Sequence, residues 1–390
     1  MNETILPRTE HLFLLVGTNP LPNYIAARLL LKQDGHICPV HTDETAEVAN
    51  RLIAALQVEK DQVTRVEVKE GEGNHIFEQV AQYVQGKQDI GLNYTGGTKT
   101  MAVHAYRAVE KHCPGAVLSY LDARTLSLSV ETSDSQVQRI PVGSVLQVSL
   151  SQMLGLHGYL LPSLRQTPNQ PEVCQALARI HSDSTAFSEW RKWLEQQSLH
   201  DLPDPAQYPR LQDVVDALRR LGNTPGDIAK ELNPRWRNLE QCRKWFLGDW
   251  LEEYTLWACL EARSNVPNLF GDFGIDLKPQ NPEGRSFQFD VALVRGYQLF
   301  AISCIASDKK EKCKEHLFEA YVRARQMGGD EARIGLVCCA PKDNPESNPA
   351  AIQREVEESW DAVGKVRVFG AEHLPNLPDC FRDWFNSQPS

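Results

Sequence analysis

The chain has 390 residues, of which 42% are hydrophobic and 24% charged, and its 41 Lys and Arg against 51 Asp and Glu give a net charge of −10. At roughly 150 residues per domain this is material for two or three domains with buried cores. Mean hydropathy is −0.40 and no apolar run reaches the roughly 18 residues of a membrane span, so the composition argues against a membrane span, and the acidic balance excludes a surface that holds nucleic acid by charge alone.

The opening Met1-Asn2-Glu3-Thr4 has neither a basic stretch nor an apolar one, so the expected location is the cytoplasm. His11 to Val16 is an apolar run ending in the loop Gly17-Thr18-Asn19-Pro20-Leu21-Pro22-Asn23, and a helical pattern follows through Ile25, Ala26, Leu29 and Leu30. His36 to His41 reads as a strand ending in Thr42-Asp43-Glu44-Thr45, and the next helix shows Val48, Leu52, Ile53 and Leu56 on one face. Val63 to Val68 is a strand, Ile76 to Val84 a helix, Asp89 to Tyr94 a strand, Met101 to Glu110 a helix and Val117 to Leu121 a strand. Leu126 to Val130 and Val137 to Pro141 suggest a hairpin. This alternation predicts a parallel sheet wrapped by helices, with its ligand at the carboxyl ends of the strands.

From about Val145 the alternation stops. Residues 150–245 read as helices broken by Pro-rich turns, among them Leu211 to Leu221 and Pro225 to Leu232 around Gly222-Asn223-Thr224. A helix-turn-helix and a plain helical connector both fit. Phe246 to Ala262 then reads as a long helix, Phe287 to Val294 and Tyr297 to Cys304 as strands joined at Gly296, and Lys310 to Met327 as a helix ended by Gly328-Gly329. Ile334 to Cys339 and Val366 to Phe369 are the last expected strands. The ten cysteines are scattered, with no C-x-x-C, and read as buried thiols; Cys338 and Cys339 point to opposite faces if they share a strand.

The strongest local signal is Asn93-Tyr94-Thr95-Gly96-Gly97-Thr98-Lys99-Thr100-Met101, a polar turn between a strand and a helix. Two glycines let backbone approach a ligand without an intervening Cβ, and the exposed N–H groups would lie at a helix N-terminus, where anions bind. Thr95, Thr98 and Thr100 add hydroxyls and Lys99 a mobile charge; a plain turn with a threonine cap is the blander alternative. Asn-x-Thr-Gly-Gly-Thr-Lys-x-Met after a strand resembles the signature of CARF domains, the Rossmann-like CRISPR-associated sensors of cyclic oligoadenylates. Gly17, Thr18, Asn19 and Pro20 in the first-strand loop and Thr42 at the second-strand end match in position. The resemblance covers about residues 1–145. It implies a ligand site formed by these residues with Asn93, Thr95, Gly96, Gly97, Thr98, Lys99 and Met101. It also implies a homodimer with two such turns facing across a two-fold axis, and cyclic tetra-adenylate as the activator. Arg107 and His112 form R-x-x-x-x-H, but they fall in the helix after the glycine turn, so packing of that helix is expected to explain them rather than ribonuclease chemistry.

Trp245-Phe246-Leu247-Gly248-Asp249-Trp250-Leu251-Glu252, then Phe287-Gln288-Phe289-Asp290-Val291, then Ser303-Cys304-Ile305 are similar to the C-terminal PD-(D/E)XK domain of CARF–nuclease effectors. That resemblance implies a restriction-endonuclease-like α/β domain whose carboxylates Glu252 and Asp290 hold Mg²⁺ or Mn²⁺ for phosphodiester cleavage of DNA or RNA. The chain departs from the pattern. Gln288 stands where a glutamate is expected, Ser303 at the Glu-or-Ser position, and Ile305 where a lysine orients water. Lys309 or Lys310, at the start of the next helix, could replace that lysine. Glu253 reads as a surface residue. The expected architecture is therefore α/β: a Rossmann-like CARF domain over 1–145, a helical, winged-helix-like middle over 146–240, and a nuclease-like domain over 241–390. The output could be a cleaving nuclease, a pseudo-nuclease that senses ligand and signals to nucleic acid or a partner, or a CARF domain that degrades its own ligand.

Overall fold

The computed structural model describes residues 6–132, 137–266 and 268–389. Seven strands form the first sheet: β1 (Thr9–Leu15), β2 (Leu31–His41), β3 (Val66–Glu67), β4 (Ile90–Asn93), β5 (Val117–Asp122), β6 (Ser127–Glu131) and β7 (Val137–Pro141), in the order β3-β2-β1-β4-β5-β6-β7. β1 to β5 are parallel; β6 and β7 fold back as an antiparallel hairpin. Strand order reverses between β1 and β4. That switch point leaves a crevice at the carboxyl ends of two neighbouring strands.

Five strands form the second sheet: β8 (Phe273–Leu277), β9 (Phe289–Arg295), β10 (Gln298–Ile305), β11 (Arg333–Cys338) and β12 (Val366–Phe369), in the order β12-β11-β10-β9-β8. β8, β9 and β10 are antiparallel, and β10, β11 and β12 parallel. The fold is α/β, with two sheets and a helical middle. No helix among the described residues is long and apolar enough to cross a membrane.

Side-chain alternation sorts these strands onto three apolar clusters. In β1, Phe13 and Leu15 pack against the helices Gly73–Val84 and Lys99–His112. Leu12, Leu14 and Val16 face the helices Leu21–Leu30 and Ala46–Leu56. That second cluster continues without a break into one face of the second sheet, through Leu299, Ala301, Ile334 and Leu336 and the helix Lys310–Gly328. The opposite face, through Phe300, Ile302 and Cys304, packs on the helices Trp250–Asn265 and Leu377–Asn386 and on the helical middle. Cys338 joins one of these clusters and Cys339 the other, as the strand reading expects.

Several elements differ from expectation. The long helix expected from Phe246 starts as a π-helical turn, Trp245–Asp249, and runs as α-helix over Trp250–Asn265. The strand expected over 63–68 shrinks to two residues, with Val63 making only an isolated bridge to Ile37. β8 was not expected, and its Asp276 sits at φ 51, which interrupts the alternation a strand would show. The helices Pro349–Trp360 and Leu377–Asn386 were also missed. Asn348 caps the first of them, its Oδ1 accepting the Ala351 N–H at 2.8 Å with Pro349 in the first turn.

Candidate functional site

The loops after β1 and β4 meet at the switch point, backbone against backbone. A methyl group on Gly17 would lie 2.9 Å from Gly97 N, and one on Gly96 would strike the Leu15 carbonyl and come within 3.0 Å of Asn23 Nδ2. Gly97 has φ +72, a conformation that favours glycine, and packs on Leu15 and the buried Met101. Asn23, fully buried, donates from Nδ2 to the Leu15 carbonyl at 2.8 Å and locks the first loop.

Other predicted site residues hold this turn from beneath. Asn93 is buried; its Nδ2 donates to Ser119 Oγ at 3.1 Å and its Oδ1 accepts the Thr95 N–H at 3.3 Å. Thr95 Oγ1 accepts the Leu121 N–H at 2.8 Å, so this hydroxyl ties the turn to β5. Thr98 Oγ1 accepts the Met101 N–H at 3.2 Å and caps the helix Lys99–His112. Thr42 closes β2, and its N–H donates to Thr45 Oγ1 at 3.0 Å. Pro20 is buried, and Asn19 Oδ1 accepts the Leu21 N–H at 3.0 Å. The open groups are therefore the exposed Thr18 and Lys99 and the first N–H groups of the helix, which have no intrahelical acceptor. Arg107, Lys111 and His112 gather around Phe77 at 5.9, 5.4 and 6.1 Å, a packing role as expected.

Sequence reasoning missed an aromatic cluster beside the turn. Tyr94 stacks on Tyr120 at 5.7 Å and meets Tyr106 edge-on at 5.9 Å. The Tyr94 and Tyr106 hydroxyls donate to the two oxygens of Glu131 at 3.4 and 3.3 Å. Burial, then the Glu131 charge, pushes the Tyr94 phenol up to about 12. Glu131 lies on a hairpin strand, so only tertiary structure brings it here.

The second site lies where β9 and β10 meet the helix Lys310–Gly328. A cavity of about 190 Å³ is lined by Gln288, Asp290, Ser303, His316 and Glu319, among others. Asp290 Oδ2 accepts from Ser303 Oγ at 3.0 Å and from the Cys304 N–H at 2.8 Å. Burial raises the Asp290 pKa, and those two hydrogen bonds oppose the rise. Glu252 comes from the helix on the other face of the sheet, and burial followed by the Asp290 charge pushes it up to about 8. The structure thus brings Glu252, Asp290, Gln288 and Ser303 to one end of the sheet. It takes Lys310 elsewhere: its ammonium is 2.6 Å from Glu355, which also binds Lys314. Lys309 is exposed at the helix start and does not line the cavity. His316 and Glu319, three residues apart on one helix face, supply polar groups that sequence reasoning did not assign.

Glu253 corrects an expectation. It is buried, not on the surface, and binds Arg165 at 2.8 Å and the Asn169 N–H at 2.8 Å. Its partners lie far back in the chain, beyond the reach of local pattern. Glu252 and Asp290 are the carboxylates on which a metal was expected. Among the described residues no group of three or more His, Cys, Asp and Glu side chains is placed to hold a metal ion. Gln288 and Ile305 stand at two motif positions, so the expected donor set is reduced to the carboxylates Glu252 and Asp290.

The fold as a whole is shared with other solved proteins. Two solved structures resemble it along nearly their full length. Protein VC1899 from Vibrio cholerae has TM-score 0.70 and 15% identity, with 96% of this chain and 98% of that chain covered. Can2 from Sulfobacillus thermosulfidooxidans, solved in complex with cyclic tetra-adenylate, has TM-score 0.71 and 16% identity, with 97% of this chain and 98% of that chain covered. No family model matches the chain, and no curated protein matches it by sequence.

Proposed function

We propose that the chain is a cytoplasmic sensor of cyclic oligoadenylate in type III CRISPR defence. It works as a homodimer, with residues 1–145 as sensor, 146–240 as connector and 241–390 as a nuclease-like output. The carrying observation is the backbone contact of Gly17 with Gly96-Gly97 at the switch point, beside an open helix N-terminus and the exposed Lys99. A cyclic phosphodiester with two-fold symmetry matches two such turns across a dimer axis. Its phosphates suit the N–H groups of the helix start, and Lys99 adds a screened, movable charge. The likeness to Can2, a protein solved with cyclic tetra-adenylate, supports that ring as the ligand.

The output binds DNA or RNA rather than cutting it. Ile305 can neither carry charge nor orient water, and Gln288 replaces a carboxylate. A ligand-switched nuclease is the second reading. The closeness of Glu252 and Asp290, whose charge raises the Glu252 pKa, favours it. The test is one incubation of the full chain with cyclic tetra-adenylate, Mn²⁺ and labelled DNA and RNA, with ligand binding scored in the same samples and repeated on Lys99→Ala and Asp290→Ala. Ligand binding weakened by Lys99→Ala, with nucleic acid intact, is the expected result. Cleavage abolished by Asp290→Ala would establish the second reading. Failure to bind ligand would end both.

A further inference from the structure

One junction in the molecule joins the two sites, and neither site's motif accounts for it. The helix Lys310–Gly328 is about 28 Å long at 1.5 Å per residue. His316 and Glu319, in its first half, wall the nuclease-like cavity. Its other end stops at Gly329, which has φ +67 and lies against the sensor loop. A methyl group there would come within 2.5 Å of Asn19 Nδ2 and 2.6 Å of Glu331 Oε2. Asn19 directly follows Gly17-Thr18, and its Oδ1 accepts the Leu21 N–H.

The surroundings of this contact are buried and polar. Glu331 is buried, and its main-chain carbonyl accepts from Gln298 Nε2 at 3.0 Å and from Arg333 Nη1 at 2.8 Å. The buried Tyr297 is under the influence of both Glu331, on this turn, and Asp122, at the carboxyl end of β5, and its hydroxyl has no hydrogen-bond partner among the described residues. His157 is buried near Met327 at the end of the helix, and its Nε2 has no hydrogen-bond partner among the described residues. Buried polar atoms left unpaired are rare in well-packed structures, and each calls for an explanation.

From this geometry we infer that the turn Gly328–Glu331 is the coupling point between the two sites, and that the helix Lys310–Gly328 carries occupancy of the glycine turn to the cavity at His316 and Glu319. The inference rests on the sensor reading above. A ligand that repositions Asn19 displaces the end of a rigid helix whose other half forms the cavity wall, and coupling of this kind is reciprocal. A side chain at Gly329 would displace the Asn19 amide and the Glu331 carboxylate and would be strained at φ +67.

The test is hydrogen–deuterium exchange on the full chain, with and without cyclic tetra-adenylate, following peptides over 94–101 and 310–320. In the native protein the ligand protects 94–101 and changes exchange over 310–320. In Gly329→Ala it still protects 94–101, but the change over 310–320 falls to the ligand-free level. Glu331→Gln adds no volume, keeps the protein folded and reduces the same response, which guards against an unfolded alanine variant. Protection at 94–101 with an unchanged 310–320 segment in the native protein would overturn the coupling and leave the sensor reading standing. So would a full response over 310–320 in both variants. No protection at 94–101 in the native protein would overturn both.

Discussion

Gly17→Ala isolates the contact on which the sensor reading depends. The glycine is not at positive φ, so alanine costs little in backbone conformation. Its methyl carbon would sit 2.9 Å from Gly97 N, so the loops after β1 and β4 must part by about 0.5 Å to reach ordinary contact near 3.4 Å. That shift moves the N–H groups of the turn off a phosphate. Losing one hydrogen bond to a charged group costs about 1.5–3 kcal/mol, or about 10- to 100-fold in Kd. Two companion variants calibrate the result. Gly86→Ala carries the left-handed strain alone, at φ +77 with nothing within 4 Å, and loses about 1–2 kcal/mol of stability with ligand affinity unchanged. Gly97→Ala combines strain at φ +72 with contact against Leu15 and Met101, and loses both stability and affinity. Calorimetric titration with cyclic tetra-adenylate, paired with thermal unfolding of the ligand-free proteins, separates the three. Native affinity in Gly17→Ala would refute the reasoning, because the switch-point contact would then be mere packing.

Glu252 gives a pH signature. Its pKa is raised from 4.5 to about 8 by burial and then by Asp290, so the native state holds a proton that the unfolded chain releases. Stability therefore falls as pH rises from about 4.5 to about 8, by on the order of a few kcal/mol, and Glu252→Gln removes most of that slope in denaturant titrations run across this range. Because the proposed non-cleaving output lacks the carboxylate expected at Gln288, millimolar Mn²⁺ is expected to leave the melting temperature unchanged; a rise that disappears in Glu252→Gln would contradict that reading. Arg165→Ala leaves the buried Glu253 with only the Asn169 N–H and costs about 1–3 kcal/mol in chemical denaturation, with Arg165→Lys recovering part of it.

The elements that could be read from sequence are those whose signal is local. Parallel strands buried on both faces are continuous apolar runs, so the buried stretches of β1 and β4 stand out. The switch-point turn is marked by two adjacent glycines ahead of a capping threonine. Val137–Pro141 and Pro225–Leu232 fall at the expected boundaries because a hairpin and a Thr-Pro helix start are written in consecutive residues. Long-range partners were not legible. Nothing near Glu253 announces Arg165, 88 positions back, and nothing near Tyr94 announces Glu131 across the hairpin. His316 and Glu319 were hidden for a different reason. Exposed charges are ordinary on a helix as rich in Lys and Glu as Lys310–Gly328, and only the cavity singles out two of them.

Ile305 connects the altered motif to the architecture. It is not an idle replacement at the end of β10. It is half-buried and packs on the apolar cluster that runs from the sensor helices Leu21–Leu30 and Ala46–Leu56 into the second sheet. A lysine ammonium there would have to reach out of that cluster to stay hydrated, whereas an isoleucine adds aliphatic surface to it, worth about 25 cal/mol for each Å² buried. The position thus trades a charge useful for hydrolysis for cohesion between the two sheets. The same cluster includes Leu317, Tyr321 and Ala324 of the helix whose far end meets Asn19. A close-packed interior resists gradual deformation and shifts as a unit. On the proposed function, a ligand loop seated on that interior is coupled to the cavity wall without any cleavage chemistry behind it, and Ile305 adds its aliphatic surface to the same interior.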